Sequence, residues 1–256
     1  MIYLLMHKGS GLGNQLHRYI AGRILSEKNG WDFSVVNSEN FKGKSFMDLD
    51  MGKPNKFSFH IEEPAGKVVM EMPSPEVYLP LWEEWSKGCY DPDFNFVKDF
   101  TIVDGNFEDE RYFIHRLADI KDWLHTEYLK VPKDVCVIGF RGGEFYSVPE
   151  LGLPKEYYDR AVQKMLKTNP KMRFEVHTDD PVLAKQFFPD YPIIKDIGIN
   201  WRSMRYAQNA IIANSSFYVL PRLMSGGFTI APKYWNRYNT KKWDFPQNYY
   251  SSFMYI

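Results

Sequence analysis

The opening of the chain limits its fold more than any other stretch. Ile2-Tyr3-Leu4-Leu5-Met6 reads as a short apolar strand, and Gly9-Ser10-Gly11-Leu12-Gly13-Asn14-Gln15-Leu16 follows it. Strand, glycine-rich turn and helix, in that order, is how an α/β protein brings backbone close to a ligand at the carboxyl end of a sheet. Glycines clear side chains from the turn, and the first helical N–H groups point toward an anion or a polar group. A dinucleotide fingerprint reads G-x-G-x-x-G, and here the third glycine is absent. Asn14 and Gln15 bring two amides to the helix start, which suit a sugar better than a pyrophosphate because each both donates and accepts hydrogen bonds.

The alternation continues. Leu16, Tyr19, Ile20 and Ile24 make one buried stripe, Gly30 suits a helix C-cap, and 31–36 begins a second strand, which predicts a parallel βαβ unit. Residues 37–104 predict strands and long loops, broken by Pro54, Pro64, Pro73, Pro75, Pro80 and Pro92 and dense in aromatic residues. Thr101-Ile102-Val103 reads as a buried strand ending at Asp104-Gly105. Phe113, Leu117, Ile120 and Leu124 then fall at helical spacing. Val131-Pro132-Lys133-Asp134 marks a boundary, giving domains over 1–131 and 132–256, with the C-terminal tail returning to the first. In the second half, strands are expected at 135–140, 172–176, 193–194 and 228–231, the last of these closed by Pro232. Helices are expected from Pro154, with Tyr158, Ala161, Val162, Met165 and Leu166 inward, from Pro181, over 204–212 and after the turn Asn214-Ser215-Ser216. The order fits an α/β protein with two Rossmann-like domains facing a central cleft.

Composition removes whole classes of function. The 256 residues carry a formal net charge of zero and no basic run, so nucleic-acid binding has no electrostatic footprint. Cys89 and Cys136 argue against a disulfide framework or a cysteine-rich zinc site. No segment approaches twenty apolar residues, so no membrane span is expected. Met1 leads into a strand without a basic leader segment, so the expected location is the cytoplasm, or the periphery of a membrane's inner face. His7, His17 and His177 lack metal-ligand spacing, and neither G-x-S-x-G nor H-E-x-x-H occurs. Aromatic residues make up 17% of the chain; rings stack on sugars, but they also fill cores.

Four places in the second half carry chemistry, each with a plainer alternative. Arg141 follows the strand at 135–140, where its forked donors can grip phosphate; it can equally be a surface arginine paired with Glu144. Glu144 can take a proton from an attacking hydroxyl, or be a solvated loop carboxylate. Asp179 and Asp180 follow another strand, where a carboxylate can read the N1–H and amine of guanine, while Asp180-Pro181 also suits a helix N-cap. They suggest a metal only weakly, since no third ligand stands nearby. Ser215 and Ser216 can cap a helix, bind a phosphate, or do both.

In this order the pieces resemble the GDP-fucose-dependent α-1,2-fucosyltransferases, glycosyltransferase family eleven, and their wider superfamily. Gly11-Leu12-Gly13-Asn14-Gln15-Leu16 is similar to the family's G-L-G-N-Q-M. Gly105-Asn106-Phe107 through Tyr112-Phe113 is similar to G-Y-F-Q-x-x-x-Y-F. Leu153-Pro154, Tyr157-Tyr158, Thr178-Asp179-Asp180, Ile211-Ile212-Ala213-Asn214-Ser215-Ser216-Phe217 and Ile230-Ala231-Pro232-Lys233-Tyr234-Trp235 continue the likeness. The family's H-x-R-R-x-D falls on Gly139–Glu144: Arg141 keeps the first arginine, and the histidine, second arginine and aspartate are Gly139, Gly142 and Glu144.

The resemblance implies a GT-B architecture and an inverting, metal-independent transfer of L-fucose, or a related 6-deoxyhexose, from a GDP-sugar to a glycan hydroxyl. The GDP-sugar is a substrate, and no cofactor is implied. Arg141, Glu144 and Asn14 are then the expected catalytic residues. Gly11, Gly13, Asn14, Arg141, Asp179, Asp180, Ser215, Ser216 and Phe217 would hold the donor. Tyr78, Trp82 and Trp85 would shape the acceptor site. The altered signature also allows a protein that binds a nucleotide sugar or carbohydrate and has lost turnover.

Overall fold

Ile2–Leu5 (β1) is apolar and buried at every position, the signature of a parallel strand covered on both faces. In the computed structural model, which describes residues 1–55, 58–62, 67–71, 90–91, 94, 98–234 and 250–256, the chain divides into two units, Met1–His125 and Thr126–Ile256. The composition break at 131–134 therefore lies inside the second unit.

In the first unit β1 pairs in parallel with β2 (Phe33–Val36) and β5 (Thr101–Val103), in the order β2-β1-β5. Helix α1 (Leu12–Asn29) joins β1 to β2 and buries Leu16, Tyr19, Ile20 and Ile24, the predicted stripe. Gly30 ends it in the left-handed conformation. β3 (Ser58–Glu62) and β4 (Lys67–Glu71) form an antiparallel pair. After β5, two 3₁₀ turns lead to α2 (Leu117–Trp123), with Phe113, Ile120 and Leu124 buried.

The second unit holds β6 (Val135–Phe140), α3 (Glu144–Ser147), α4 (Lys155–Thr168), β7 (Arg173–Thr178), α5 (Pro181–Phe187), β8 (Ile193–Ile194), α6 (Ile197–Tyr206), β9 (Asn209–Ile211), α7 (Ser216–Ser225), β10 (Phe228–Ala231) and β11 (Met254–Tyr255). All six strands are parallel, in the order β11-β10-β9-β6-β7-β8. Successive strands run outward from β6 in one direction, then from β9 in the other: the doubly wound order, reversing between β6 and β9. Helix α4 buries Tyr157, Tyr158, Ala161, Val162 and Met165, while Leu166 is only partly covered.

The structure corrects two expectations. The span 204–212 is not one helix: α6 ends at Tyr206, and Asn209–Ile211 enters the sheet as β9. The buried Arg222 guanidinium takes the Met204 and Ala207 carbonyls, at 2.8 Å each, which draws the helix end into a different bond pattern. β10 is not the last strand, because β11 pairs with it. Residues 250–256 belong to the second unit. Each unit is α/β with a parallel central sheet, as the alternation predicts. Among the described residues no helix is long and apolar enough to cross a membrane.

Candidate functional site

In a doubly wound sheet, ligands bind outside the carboxyl ends of the strands where the order reverses. Here that point lies between β6 and β9. Their register pairs Ile138 with Ile211, so Arg141 and Asn214 each lie three positions beyond one rung. On the other side Phe140 pairs with Thr178, so Arg141 and Asp179 each lie one position beyond the next. The three predicted loops of this unit meet at one sheet edge.

Arg141 leaves β6 half-buried. Its guanidinium bonds Asp179, and it donates to Glu144 Oε1 at 2.9 Å. The guanidinium carbon Cζ lies over the Phe145 ring, 5.3 Å from the centroid. The pairing with Glu144, one of the two readings of this arginine, is present, and Arg141 lies at the carboxyl edge where the strand order reverses. The Glu144 side chain is 73% exposed.

The next residues are held by the two aspartates. Asp179 Oδ1 accepts the Gly142 N–H at 2.9 Å, and Asp180 Oδ2 accepts that of Gly143 at 3.2 Å. Asp180 Oδ1 also accepts the Leu183 N–H at 3.0 Å, the predicted N-cap of α5. That bond, with the one from Gly143, holds the Asp180 carboxyl below its usual range. Gly142 lies so close that an added methyl carbon would come within 2.4 Å of Asp180 Cβ. Gly143 has φ 51°, ψ −122°, a conformation open to glycine.

Gly139, where the resemblance places a histidine, is also filled from outside. A methyl carbon there would meet the Tyr218 ring at 2.8 Å. The Tyr218 hydroxyl lies 3.1 Å from the Phe140 carbonyl and 3.3 Å from that of His177. This bond ties the first turn of α7 to the residue before Arg141. Ser215 is the N-cap of α7, extended and buried, yet its hydroxyl makes no capping bond to the helix. The N-cap role expected of its side chain is therefore not the one it plays. Ser216 and Phe217 are half-buried at the helix start, and Phe217 packs edge-on against Trp201.

Two groups beneath this edge are structural. His177 is fully buried and bonds Asn200 Oδ1 through Nδ1 at 2.9 Å. Asn200 Nδ2 donates to the Thr178 carbonyl, which leaves its oxygen to accept and so places the imidazole proton on Nδ1. Burial pulls His177 down to about 4. Burial raises the Tyr218 phenol far above its ordinary value, so it acts only as a hydrogen-bonding hydroxyl.

The first unit holds different chemistry. Gly11 is the exposed N-cap of α1, and a methyl carbon there would meet nothing within 4 Å. Gly13 is buried and Asn14 half-buried in the first turn. Gln15 is buried. It donates to the His7 and Asn40 carbonyls at 3.3 and 2.9 Å and accepts the Lys42 N–H at 3.0 Å. One of the two amides expected to meet a sugar is thus spent on bracing loops. Tyr78, Trp82 and Trp85 lie outside the described residues.

A cluster that sequence reasoning missed stands beside this turn. His7 Nε2 lies 2.9 and 3.0 Å from the two Asp104 oxygens. Arg18 Nε lies 3.0 Å from Asp104, and the guanidinium also bonds the Leu5 and Gly105 carbonyls. Burial works to raise the Asp104 carboxyl, but the His7 bond and the Arg18 charge outweigh it and hold it below its usual value. An imidazole held on a carboxylate is an arrangement suited to general-base work. The signal was faint: one polar residue just after β1 and one just after β5, ninety-seven positions apart. Among the described residues no group of three or more His, Cys, Asp or Glu could hold a metal ion.

No protein-family model and no curated protein matches this chain. Solved structures with some likeness include NodZ α-1,6-fucosyltransferase soaked with GDP-fucose, at 14% identity and TM-score 0.44, covering 89% of this chain and 94% of that one. A selenomethionine form of fucosyltransferase NodZ from Bradyrhizobium gives 15% and 0.46, over 89% and 94%. The E. coli heptosyltransferase WaaC with ADP gives 9% and 0.46, over 100% and 92%. Likeness at these levels assigns the chain to no family.

Proposed function

We propose that this protein is an inverting, metal-independent glycosyltransferase with a GT-B architecture, moving L-fucose or a related 6-deoxyhexose from a GDP-sugar to a glycan hydroxyl. One observation carries the reading: Arg141 and the Ser215–α7 helix start flank the point where the strand order of the second sheet reverses, with Tyr218 tying one to the other. A departing nucleoside diphosphate gains negative charge, and preorganised donors at that position lower the barrier. Arg141 supplies a cation, and the start of α7 supplies N–H groups and the Ser215 hydroxyl. Gly11, Gly13 and Asn14 serve the sugar end of the donor. Tyr78, Trp82 and Trp85 serve the acceptor. Glu144, paired to Arg141, gives up that bond to the diphosphate and becomes available to take the acceptor's proton.

Calorimetry with GDP, followed by transfer assays with GDP-fucose and a panel of glycan acceptors, tests the proposal. Binding in the micromolar range and turnover that survives EDTA are expected. Activity abolished by EDTA, or no nucleotide binding, overturns it. The pairing of Arg141 with two carboxylates, and the glycine at 142, favour one second reading: a binder of nucleotide sugars without turnover. Tight GDP binding with no transfer to any acceptor and no hydrolysis selects it.

A further inference from the structure

We infer that Asp179 is a positioning residue, aiming the Arg141 guanidinium at the diphosphate rather than reading the nucleotide base. The inference rests on the function proposed above.

Reading guanine takes a carboxylate whose two oxygens both face outward, one for each N–H of the base. Asp179 has committed both to its own chain. One accepts the Gly142 N–H at 2.9 Å, and the other bonds Arg141. Asp180 repeats the pattern one step on, taking the Gly143 N–H while capping α5. Two successive carboxylates thus hold two successive backbone N–H groups. The loop after β6 is pinned to the loop after β7 just beyond their last rung, Phe140 with Thr178. The contact at Gly142 shows how close that pinning is, since an added methyl carbon would lie 2.4 Å from Asp180 Cβ. Turning Asp179 toward a base would release Gly142 and Arg141 together.

An arginine carries five N–H donors in a fixed plane. With Asp179 on one edge, the orientation of that plane is set before a ligand arrives. When the diphosphate binds, Arg141 keeps Asp179 and exchanges Glu144 for phosphate oxygens. Preorganisation of this kind is worth more than charge alone.

The test is calorimetry of GDP, ADP and UDP on the wild type, Asp179→Asn, Arg141→Ala and the double variant. Asparagine keeps the acceptor for Gly142 and removes the charge that aims Arg141. Asp179→Asn should weaken all three nucleotides by one common factor, about 10-fold, the scale of a hydrogen bond to a charged group. It should weaken nothing further once Arg141 is alanine. A merely structural role would not vanish with Arg141. If circular dichroism shows Asp179→Asn unfolded, Asp179→Ser, whose hydroxyl can accept the Gly142 N–H, is read the same way. Loss of GDP over ADP discrimination, or losses that add in the double variant, would overturn the inference while the proposed function stands. A wild type that binds none of the three nucleotides removes both.

Discussion

Arg18 and Arg141 stand at the carboxyl edges of the two parallel sheets, and their surroundings differ in kind. Arg18 is buried, bonding two backbone carbonyls and a carboxylate that is itself only partly exposed. Arg141 is half-buried, and its hydrogen-bond partners among the described residues are carboxylates, one of them on an exposed side chain. Backbone carbonyls cannot turn away, so Arg18 is a fixed part of the fold. Carboxylates at a surface can be exchanged for other anions, so Arg141 keeps its capacity to bind. The same side chain acts as a bolt in one unit and, on the function proposed above, as a receptor in the other, and burial together with partner type decides which.

The sharpest way to break this comparison is to remove each arginine in turn. Arg18→Ala leaves the Leu5 and Gly105 carbonyls without this donor, and Asp104 with His7 but without the Arg18 charge. It should destabilise the first unit by about 2–6 kcal/mol, at about 1–3 kcal/mol for each buried carbonyl left without its donor. Hydrogen exchange along β1 and β5 reads that loss. Arg141→Ala should lower turnover on the order of 10²-fold or more, as loss of one transition-state donor does. Its effect on stability should stay within about 1 kcal/mol, as for other surface ion pairs. A stability loss in Arg141→Ala equal to that of Arg18→Ala would erase the distinction.

Gln15 sharpens the picture within the first unit. Gln15→Ala strands the Lys42 N–H and two carbonyls, and should cost about 1–3 kcal/mol in denaturant unfolding. A Gln15→Ala protein of unchanged stability but weakened sugar binding would return this amide to the ligand.

The smallest expected effect is shared by both units. His17 and His177 are each pulled by burial from 6.5 to about 4. The folded state therefore holds fewer protons than the unfolded state between those values. Stability is complete above pH 6.5 and drains away as pH falls toward 4, by about 1–2 kcal/mol per histidine at pH 5. Urea midpoints at pH 7.5 and 5 measure the drop. His17→Gln should flatten it in the first unit, and His177→Gln in the second.

Much of the fold was legible because it is local. The apolar run of β1, the stripe of α1 and its glycine stop, and Asp180 ahead of Pro181 each rest on neighbours in sequence. So does the glycine-rich turn, and so does the position of Arg141 directly after a strand. β9 was not legible. Three residues carry too little pattern to outweigh the helical spacing around them, and the bonds that end α6 come from Arg222, far along the chain. β11 is two residues long and exists through its pairing with β10.

The sequence by itself determined the layer type, the order of strand and helix, and the residue types at the strand ends. Hydrophobic periodicity and turn chemistry act over a few residues, and they suffice for those. Only the tertiary structure decided that Gln15 braces loops, that His7 meets Asp104, and that the strand order reverses beside Arg141. Each of these depends on which distant backbone or charge lands within hydrogen-bonding reach, and that follows from how the sheet closes rather than from any local pattern.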